Sequence, residues 1–314
     1  MTTANTTGER TPPADILRSG LPHEAHVSRS LWQEALQRIL RDRLTLGALF
    51  VLTFMTLACV FAPPIIEREL GVSAERTDIV NRYKGPGYGN NLLGTDHLGR
   101  DQLVRLLYGG RVSLGVAYGA SVMSITIGVI IGMLAGYYGG LIDSLVNWLI
   151  STLSSIPSIF LLILVSVAFT PSPTVLILLL GSLGWISTCR LVRGEVLALK
   201  EREFMVAARA VGAPTHRLLT QHFFPNVASL VIISLTIDAG TLILIEAGLS
   251  YLGLGVRPPT PSWGNMLTSA RMYFNTGPHL VVWPGIMIAV TVLCFFIAGD
   301  GLRDALDPRA RGRK

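Results

Sequence analysis

The chain has 314 residues, 50% hydrophobic and 15% charged, with a formal net charge of +6 and a mean hydropathy of +0.51. Soluble domains carry about a quarter charged residues, and here no Asp, Glu, Lys or Arg occurs from Ser144 to Cys189, enough for two bilayer spans of roughly 20 residues each, so a soluble fold is excluded. The excess arginines cluster at loops and at the tail, as topology signals do, which argues against a nucleic-acid partner.

In chain order, residues 1–43 form a polar tail with Pro12-Pro13 and dispersed charges. It lacks the apolar core and cleavage site of a signal peptide, and no fixed structure is expected before about Ser30. From there Leu31, Ala35 and Ile39, with Arg38, Arg41 and Arg43, suit an amphipathic helix lying in the membrane interface. A first span is expected over 44–62, closed by Pro63-Pro64. A long polar segment, 63–111, follows with Gly85-Pro86-Gly87 and Asn90-Asn91.

A second span is expected from Val112 to Tyr137. Gly128, Gly132, Gly136 and Gly140 recur every four residues, which lines them along one helix face and allows a neighbouring backbone to come close. Gly139-Gly140 reverses the chain, and Asp143 is placed to N-cap a third helix. That helix should reach Phe169 with a kink at Pro157. Pro171 and Pro173 make the next turn. The fourth span, about Val175 to Cys189, is the shortest. A charged amphipathic stretch, 190–222, separates it from a fifth span, Val227 to Leu252, and a sixth runs from Leu280 to Ala298 before a tail at 299–314.

Six spans put both termini on one side. Arg38, Arg41, Arg43, Arg190, Arg193, Arg303, Arg309, Arg311, Arg313 and Lys314 all fall on that side, which marks it as cytoplasmic. Segment 63–111 must then lie outside despite its arginines, which Glu67, Glu69, Glu75, Asp78, Asp96 and Asp101 nearly balance.

Cys59, Cys189 and Cys294 lie in or beside apolar runs without paired spacing, as packing residues rather than disulfides or metal ligands. None of Lys84, Lys200 and Lys314 follows a glycine, so no phosphate-binding P-loop is present. His23-Glu24-Ala25-His26 is one residue short of a zinc-protease motif, and its histidines would not share a helix face. There is no Gly-x-Ser-x-Gly nucleophile elbow. No metal or cofactor site is therefore expected on this chain.

The stretch from Glu201 to Asn226 carries the most information. Phe204, Ala207, Ala208 and Val211 recur at helical spacing, Gly212 suits a left-handed C-cap, and Pro214 suits the first turn of a second short helix ending before Pro225. This is a helix-turn-helix outside the bilayer, which could equally be an ordinary interfacial connector. However, Ala207-Ala208, Gly212 and His222-Phe223-Phe224-Pro225-Asn226 resemble the "EAA" loop of ATP-binding-cassette importer permeases. Val206 stands where the general signature has Glu, a departure that looks like the dipeptide/oligopeptide/nickel branch.

Three further blocks resemble that branch in the same order along the chain. They are Leu93-Gly94-Thr95-Asp96 with Leu98-Gly99-Arg100-Asp101 and Gly109, Arg111 and Ser113, then Ser250-Tyr251-Leu252-Gly253-Leu254-Gly255 with Pro258-Pro259-Thr260-Pro261 and Trp263-Gly264, and Gly299-Asp300-Gly301-Leu302-Arg303-Asp304-Ala305-Leu306-Asp307-Pro308. The last block and the single first span resemble the "C" type of the paired permeases. Thr95 or Asp96 is read as capping a turn that ends in the Arg100–Asp101 pair, and Trp263 as an interfacial anchor.

The resemblance implies an all-α, six-span type I importer permease, with one N-terminal helix and a core over 112–298. It implies that Glu203, Ala207, Ala208, Arg209, Gly212 and Pro225 form the coupling loop docking on the ATPases. It further implies a second permease subunit, two cytoplasmic ATPase subunits that bind the ATP and Mg, an extracytoplasmic solute-binding protein, and the inner membrane of a prokaryote. Peptides are the expected solute and nickel the alternative within the branch; a membrane-embedded enzyme or receptor is the alternative class. Asp238 and Glu246 sit inside the fifth span eight residues apart, within roughly 80 degrees of one face. Ionisable groups at that depth are costly. They either line the solute pathway, meeting the charged ends of a peptide, or lock helices by hydrogen bonds, which suits Glu246 better.

Overall fold

The computed structural model describes residues 31–169, 171–272 and 274–306, and these contain helices but no strand. The tail before Ser30, the His23–His26 motif and the chain beyond Leu306 lie outside the described residues. Helix α1 (Leu31–Arg41) meets α2 (Arg43–Leu70) at Asp42, whose carboxylate accepts from the Leu44 amide at 3.1 Å and from the Thr45 hydroxyl. Ala35 on α1 is buried whereas Leu36 and Leu40 are exposed.

Helix α2 does not stop at Pro63-Pro64. It runs on to Leu70, where Gly71 takes the left-handed conformation (φ 65°). A proline removes the hydrogen bond to the carbonyl four residues earlier but leaves the following turns free to stay helical. Tertiary contacts hold those turns: Glu67 accepts from the Ala74 amide at 3.0 Å and from the Tyr108 hydroxyl at 3.3 Å.

Helix α3 (Gln102–Tyr138) starts well before Val112, because Asp101 caps it by accepting from the Val104 amide at 2.8 Å. At 1.5 Å per residue it is about 55 Å long and projects beyond a bilayer core of ~30 Å. Its glycines seat it on α6 (Pro173–Lys200). A Cβ at Gly128 would lie 2.8 Å from the Trp185 carbonyl oxygen, and at Gly132 it would lie 2.7 Å from that of Cys189. At Gly136 it would come 2.9 Å from the Val196 side chain. Gly140 leaves the row; it meets nothing within 4 Å and instead takes φ 54° in the turn.

Helix α4 (Gly140–Ser154) has Gly139 at its N-cap, not Asp143. The Asp143 carboxylate turns sideways to pair with the Arg193 guanidinium on α6 (2.7 Å from its terminal nitrogen) and accepts from Asn147 at 3.0 Å. Pro157 breaks the chain rather than kinking it: α5 (Ser158–Ala168) leaves α4 at 81°. Helix α6 continues past Cys189 to Lys200. Its basic residues find partners across the packing seam, Arg190 on the Ser154 hydroxyl at 3.1 Å and Lys200 on the Tyr137 carbonyl at 3.0 Å.

The remaining elements are α7 (Glu203–Ala210), α8 (Thr215–Arg217), a π-helical turn at Leu218–Phe223, α9 (Phe224–Tyr251), α10 (Trp263–Met272) and α11 (His279–Leu306). Among the described residues five helical stretches are long and apolar enough to cross a membrane: α2, α3, α6, α8–α9 together, and α11. The bent α4–α5 pair satisfies the same criteria jointly and would make a sixth. Helix α3 lies centrally, with α6 on its glycine face and α2, α9, α10 and α11 around a core that includes Cys59, Ala117, Ile243, Trp263 and Ala298.

Candidate functional site

The α6–α9 connection is a helix-turn-helix. Helix α7 ends in a Schellman motif, in which the Ala213 amide donates to the Ala208 carbonyl at 3.1 Å and the Gly212 amide to that of Arg209 at 2.9 Å. Gly212 holds φ 80°, the left-handed value the motif requires. Pro214 occupies the N-cap of α8 in extended conformation. The second helix does not end before Pro225. The π turn, in which the Phe224 amide reaches back to the Leu219 carbonyl, admits the proline, and the helix passes on into α9.

Met205, Leu218 and Phe223 are wholly buried under this loop and anchor it to Ile125, Val129, Val192 and Val196. Its outer side is apolar and uncovered: Phe204, Val206 and Val211 are 45%, 55% and 85% exposed. Glu203, Ala207, Gly212 and Pro225 are exposed with them, whereas Ala208 and Arg209 are half-buried. The six loop residues singled out in the sequence thus divide between an outer face and an inner one. The guanidinium of Arg209 lies over the Tyr137 ring, 5.8 Å from its centroid. In the sequence Tyr137 marks only the end of the second expected span, one aromatic at the close of an apolar run.

Asp238 and Glu246 occupy different surroundings on α9. Asp238 is half-buried and faces α6, where the Thr188 hydroxyl donates to it at 3.5 Å. Glu246 is fully buried. It accepts from the Ser113 hydroxyl on α3 at 2.8 Å and from the Ser250 hydroxyl at 2.7 Å. Those hydroxyls in turn accept from the amides of Trp263 (3.2 Å) and Val256 (3.1 Å). Glu246 therefore ties α3, α9 and the start of α10 together, whereas Asp238 is half-buried with the Thr188 hydroxyl at the limit of hydrogen-bond distance.

Trp263 is not at an interface. It is fully buried, and its indole N–H donates to the Leu106 carbonyl at 2.9 Å. Gly110 makes room for the ring, since a Cβ there would come within 2.6 Å of it.

Segment 71–101 is closed by an ion cluster. Asp96 accepts from the amides of Leu98 and Arg100 at 2.8 and 2.9 Å, pairs with the Arg100 guanidinium at 2.7 Å and lies 3.3 Å from that of Arg105. Burial alone would raise the Asp96 carboxyl, but hydrogen bonds and charge from Arg100, with the charge of Arg105, hold it below the ordinary carboxylate value. Asp101, which caps α3, is instead raised by burial, an effect its amide donors only partly offset. Thr95 caps no helix. Its hydroxyl donates to the Asn81 carbonyl at 2.5 Å, and its carbonyl meets His279 on α11 at 3.1 Å. Among the described residues no group of three His, Cys, Asp or Glu side chains could hold a metal ion.

Residues 128–312, more than half of the chain, match the family model described as binding-protein-dependent transport system inner membrane component. Residues 30–86 match the N-terminal TM domain of oligopeptide transport permease C. The oligopeptide transport system permease protein OppC of Haemophilus influenzae is 37% identical over 284 residues, 90% of each chain. The dipeptide transport system permease protein DppC of Alkalihalophilus pseudofirmus is 36% identical over 290 residues, 92% of this chain and 94% of that one. A glutathione transport system permease protein, GsiD of Escherichia coli, is also 36% identical over 284 residues, 90% of this chain and 92% of that one. Among solved structures, the inward-facing MetNI methionine ABC transporter shares the fold with a TM-score of 0.51 at 20% identity, covering 65% of this chain and 97% of that one. The chain is a multi-pass membrane protein that belongs to the binding-protein-dependent inner membrane component family, as a C-type permease subunit of the dipeptide/oligopeptide/nickel branch of ATP-binding-cassette importers.

Proposed function

We propose that this chain forms half of the translocation pathway of an ATP-driven importer of di- and oligopeptides. A second, related permease chain would supply the other half, two ATPase subunits would dock on α7, and a solute-binding protein would deliver at the opposite face. The peptide class rests on the relatives named for oligopeptide and dipeptide transport. The ATP and Mg chemistry would belong to the ATPases, and this chain would carry the motion.

Phe204, Val206 and Val211 form an uncovered apolar face on a short helix that projects between the ends of two membrane-length helices, α6 and α9. The Schellman motif makes α7 and its turn a stiff unit, so a pull on the outer face would be passed to both flanking spans. Arginines around the helix ends support a cytoplasmic position for this face, which would put both termini on the same side and segment 63–111 outside.

Gly212→Val tests it. A β-branched residue at φ 80° is strained by roughly 1–2 kcal/mol, although its Cβ would meet nothing within 4 Å. The spans should therefore insert normally, while co-purification of the ATPase subunits, or solute uptake per ATP hydrolysed in vesicles, should fall. Ala208→Arg should do the same by splitting the loop from its seat. Wild-type retention and uptake in both variants would remove α7 as the docking site.

Of the two intramembrane carboxylates, Asp238 is the pathway candidate and Glu246 the lesser one, because its oxygens are already engaged by Ser113 and Ser250. Asp238→Asn should lower uptake while leaving assembly and basal ATP turnover intact. Unchanged uptake would take Asp238 out of the pathway, and loss of assembly would make it a helix lock.

A further inference from the structure

Helices α6 and α9 are continuous with the α7–α8 loop through the backbone, whereas central α3 is not. Motion of the loop can reach α3 through its glycine seat on α6 and through side-chain contacts with the loop itself, and the polar and aromatic ones converge on one residue of its last turn. The Tyr137 ring lies beneath the Arg209 guanidinium of α7 at 5.8 Å and meets the edge of Phe223 in the π turn at 5.7 Å and 74°. Its hydroxyl is 3.2 Å from that of Thr215 at the start of α8, and its carbonyl accepts from Lys200 at the end of α6. A terminal nitrogen of Arg209 is buried with no hydrogen-bond partner among the described residues, so on its buried side the cation is left with the ring face.

We propose that Tyr137 is the positioning residue that carries movement of α7 into α3. This rests on the reading of α7 as the ATPase-docking helix. Fixed beneath Arg209 and beside Phe223, the phenol makes the loop and the end of α3 move together. Helix α3 in turn is seated on α6 by Gly128, Gly132 and Gly136 and bound to α9 through Ser113 and Glu246, so displacement at its end would be felt along the bundle. The neighbouring apolar contact from Met133 to the same cluster has no preferred direction and could slip where the cation over the ring and the hydroxyl pair with Thr215 would not.

The test uses the assembled complex in vesicles and reads the ratio of solute taken up to ATP hydrolysed. Tyr137→Leu should co-purify with its ATPase subunits and keep basal turnover, yet show a ratio lower by about fivefold or more. Tyr137→Phe, which keeps the ring, should recover most of it. Arg209→Gln should lower the ratio likewise, and the double variant should be no worse than Tyr137→Leu alone, because both act through one contact. If Tyr137→Leu does not assemble, Arg209→Gln decides by the same ratio. An unchanged ratio in the deciding variant, or additive losses in the double variant, would overturn the proposal. A wild-type complex that retains no ATPase would instead overturn the reading of α7 beneath it.

Discussion

Gly132→Leu should yield little or no monodisperse protein, whereas Gly115→Leu on the same helix should purify like the wild type. At position 132 the added Cβ alone would sit 2.7 Å from the backbone carbonyl of Cys189, with the Val192 side chain at 3.1 Å. A main-chain oxygen inside α6 cannot rotate aside, so α3 and α6 would have to separate. That would undo the flanking approaches at Gly128 and Gly136 as well. Overpacking a well-packed core costs about 1–3 kcal/mol, sometimes more, and the rest of the leucine side chain would add to the clash made by its Cβ. Gly115 faces outward and a Cβ there meets nothing within 4 Å, so it controls for the loss of a helical glycine. Size-exclusion profiles and melting curves in detergent give the comparison, and equal behaviour of the two variants would show that the glycine row does not set the α3–α6 distance.

Asp96→Asn should be the most damaging charge change in segment 71–101. It removes one negative charge from a buried site and leaves the guanidinium groups of Arg100 and Arg105 facing an amide. Breaking a buried pair in this way costs about 3–5 kcal/mol, chiefly because the surviving charge stays buried. The same site predicts a pH dependence. The folded-state pKa of Asp96 is depressed, so its contribution is present above the unfolded carboxylate value and is lost as pH falls through the folded one. Asp101 is shifted the other way and opposes this, which makes the difference between wild type and Asp96→Asn the informative quantity. That difference in melting temperature should be largest near neutrality and shrink on acidification below the ordinary carboxylate range. A difference independent of pH would mean that the carboxylate charge does not hold the cluster.

Several features needed only local information. A charge-free run as long as Ser144–Cys189 has few homes other than a bilayer, and that conclusion depends on no contact. The left-handed turn at Gly212 is equally local, since the conformation belongs to one residue and the Schellman bonds close within six. Recurrence of Gly128, Gly132 and Gly136 announced a close approach of backbones, although not that α6 would be the partner. Helix ends were less legible. Pro63-Pro64 read as a stop, and the arginines at 190 and 193 read as the end of a span. The helices pass both because Glu67, Asp143, Ser154 and the Tyr137 carbonyl supply partners that no short window contains.

The amino-acid sequence by itself thus determined the membrane class, the helical content and the turn chemistry of the α7 loop, because each follows from the composition or torsions of neighbouring residues. Tertiary structure alone decided the fate of the polar and aromatic side chains inside the bundle. Trp263 suits an interface on its own chemistry, but Leu106, 157 residues away, receives its indole N–H in the core. Glu246 could have lined a pathway, but Ser113, 133 residues away, takes one of its oxygens. Tyr137 acquires its position only when α6, α7, α8 and the π turn close on it. In each case the buried polar group must find a partner to offset its lost hydration, and that partner is chosen by helix packing rather than by sequence neighbours.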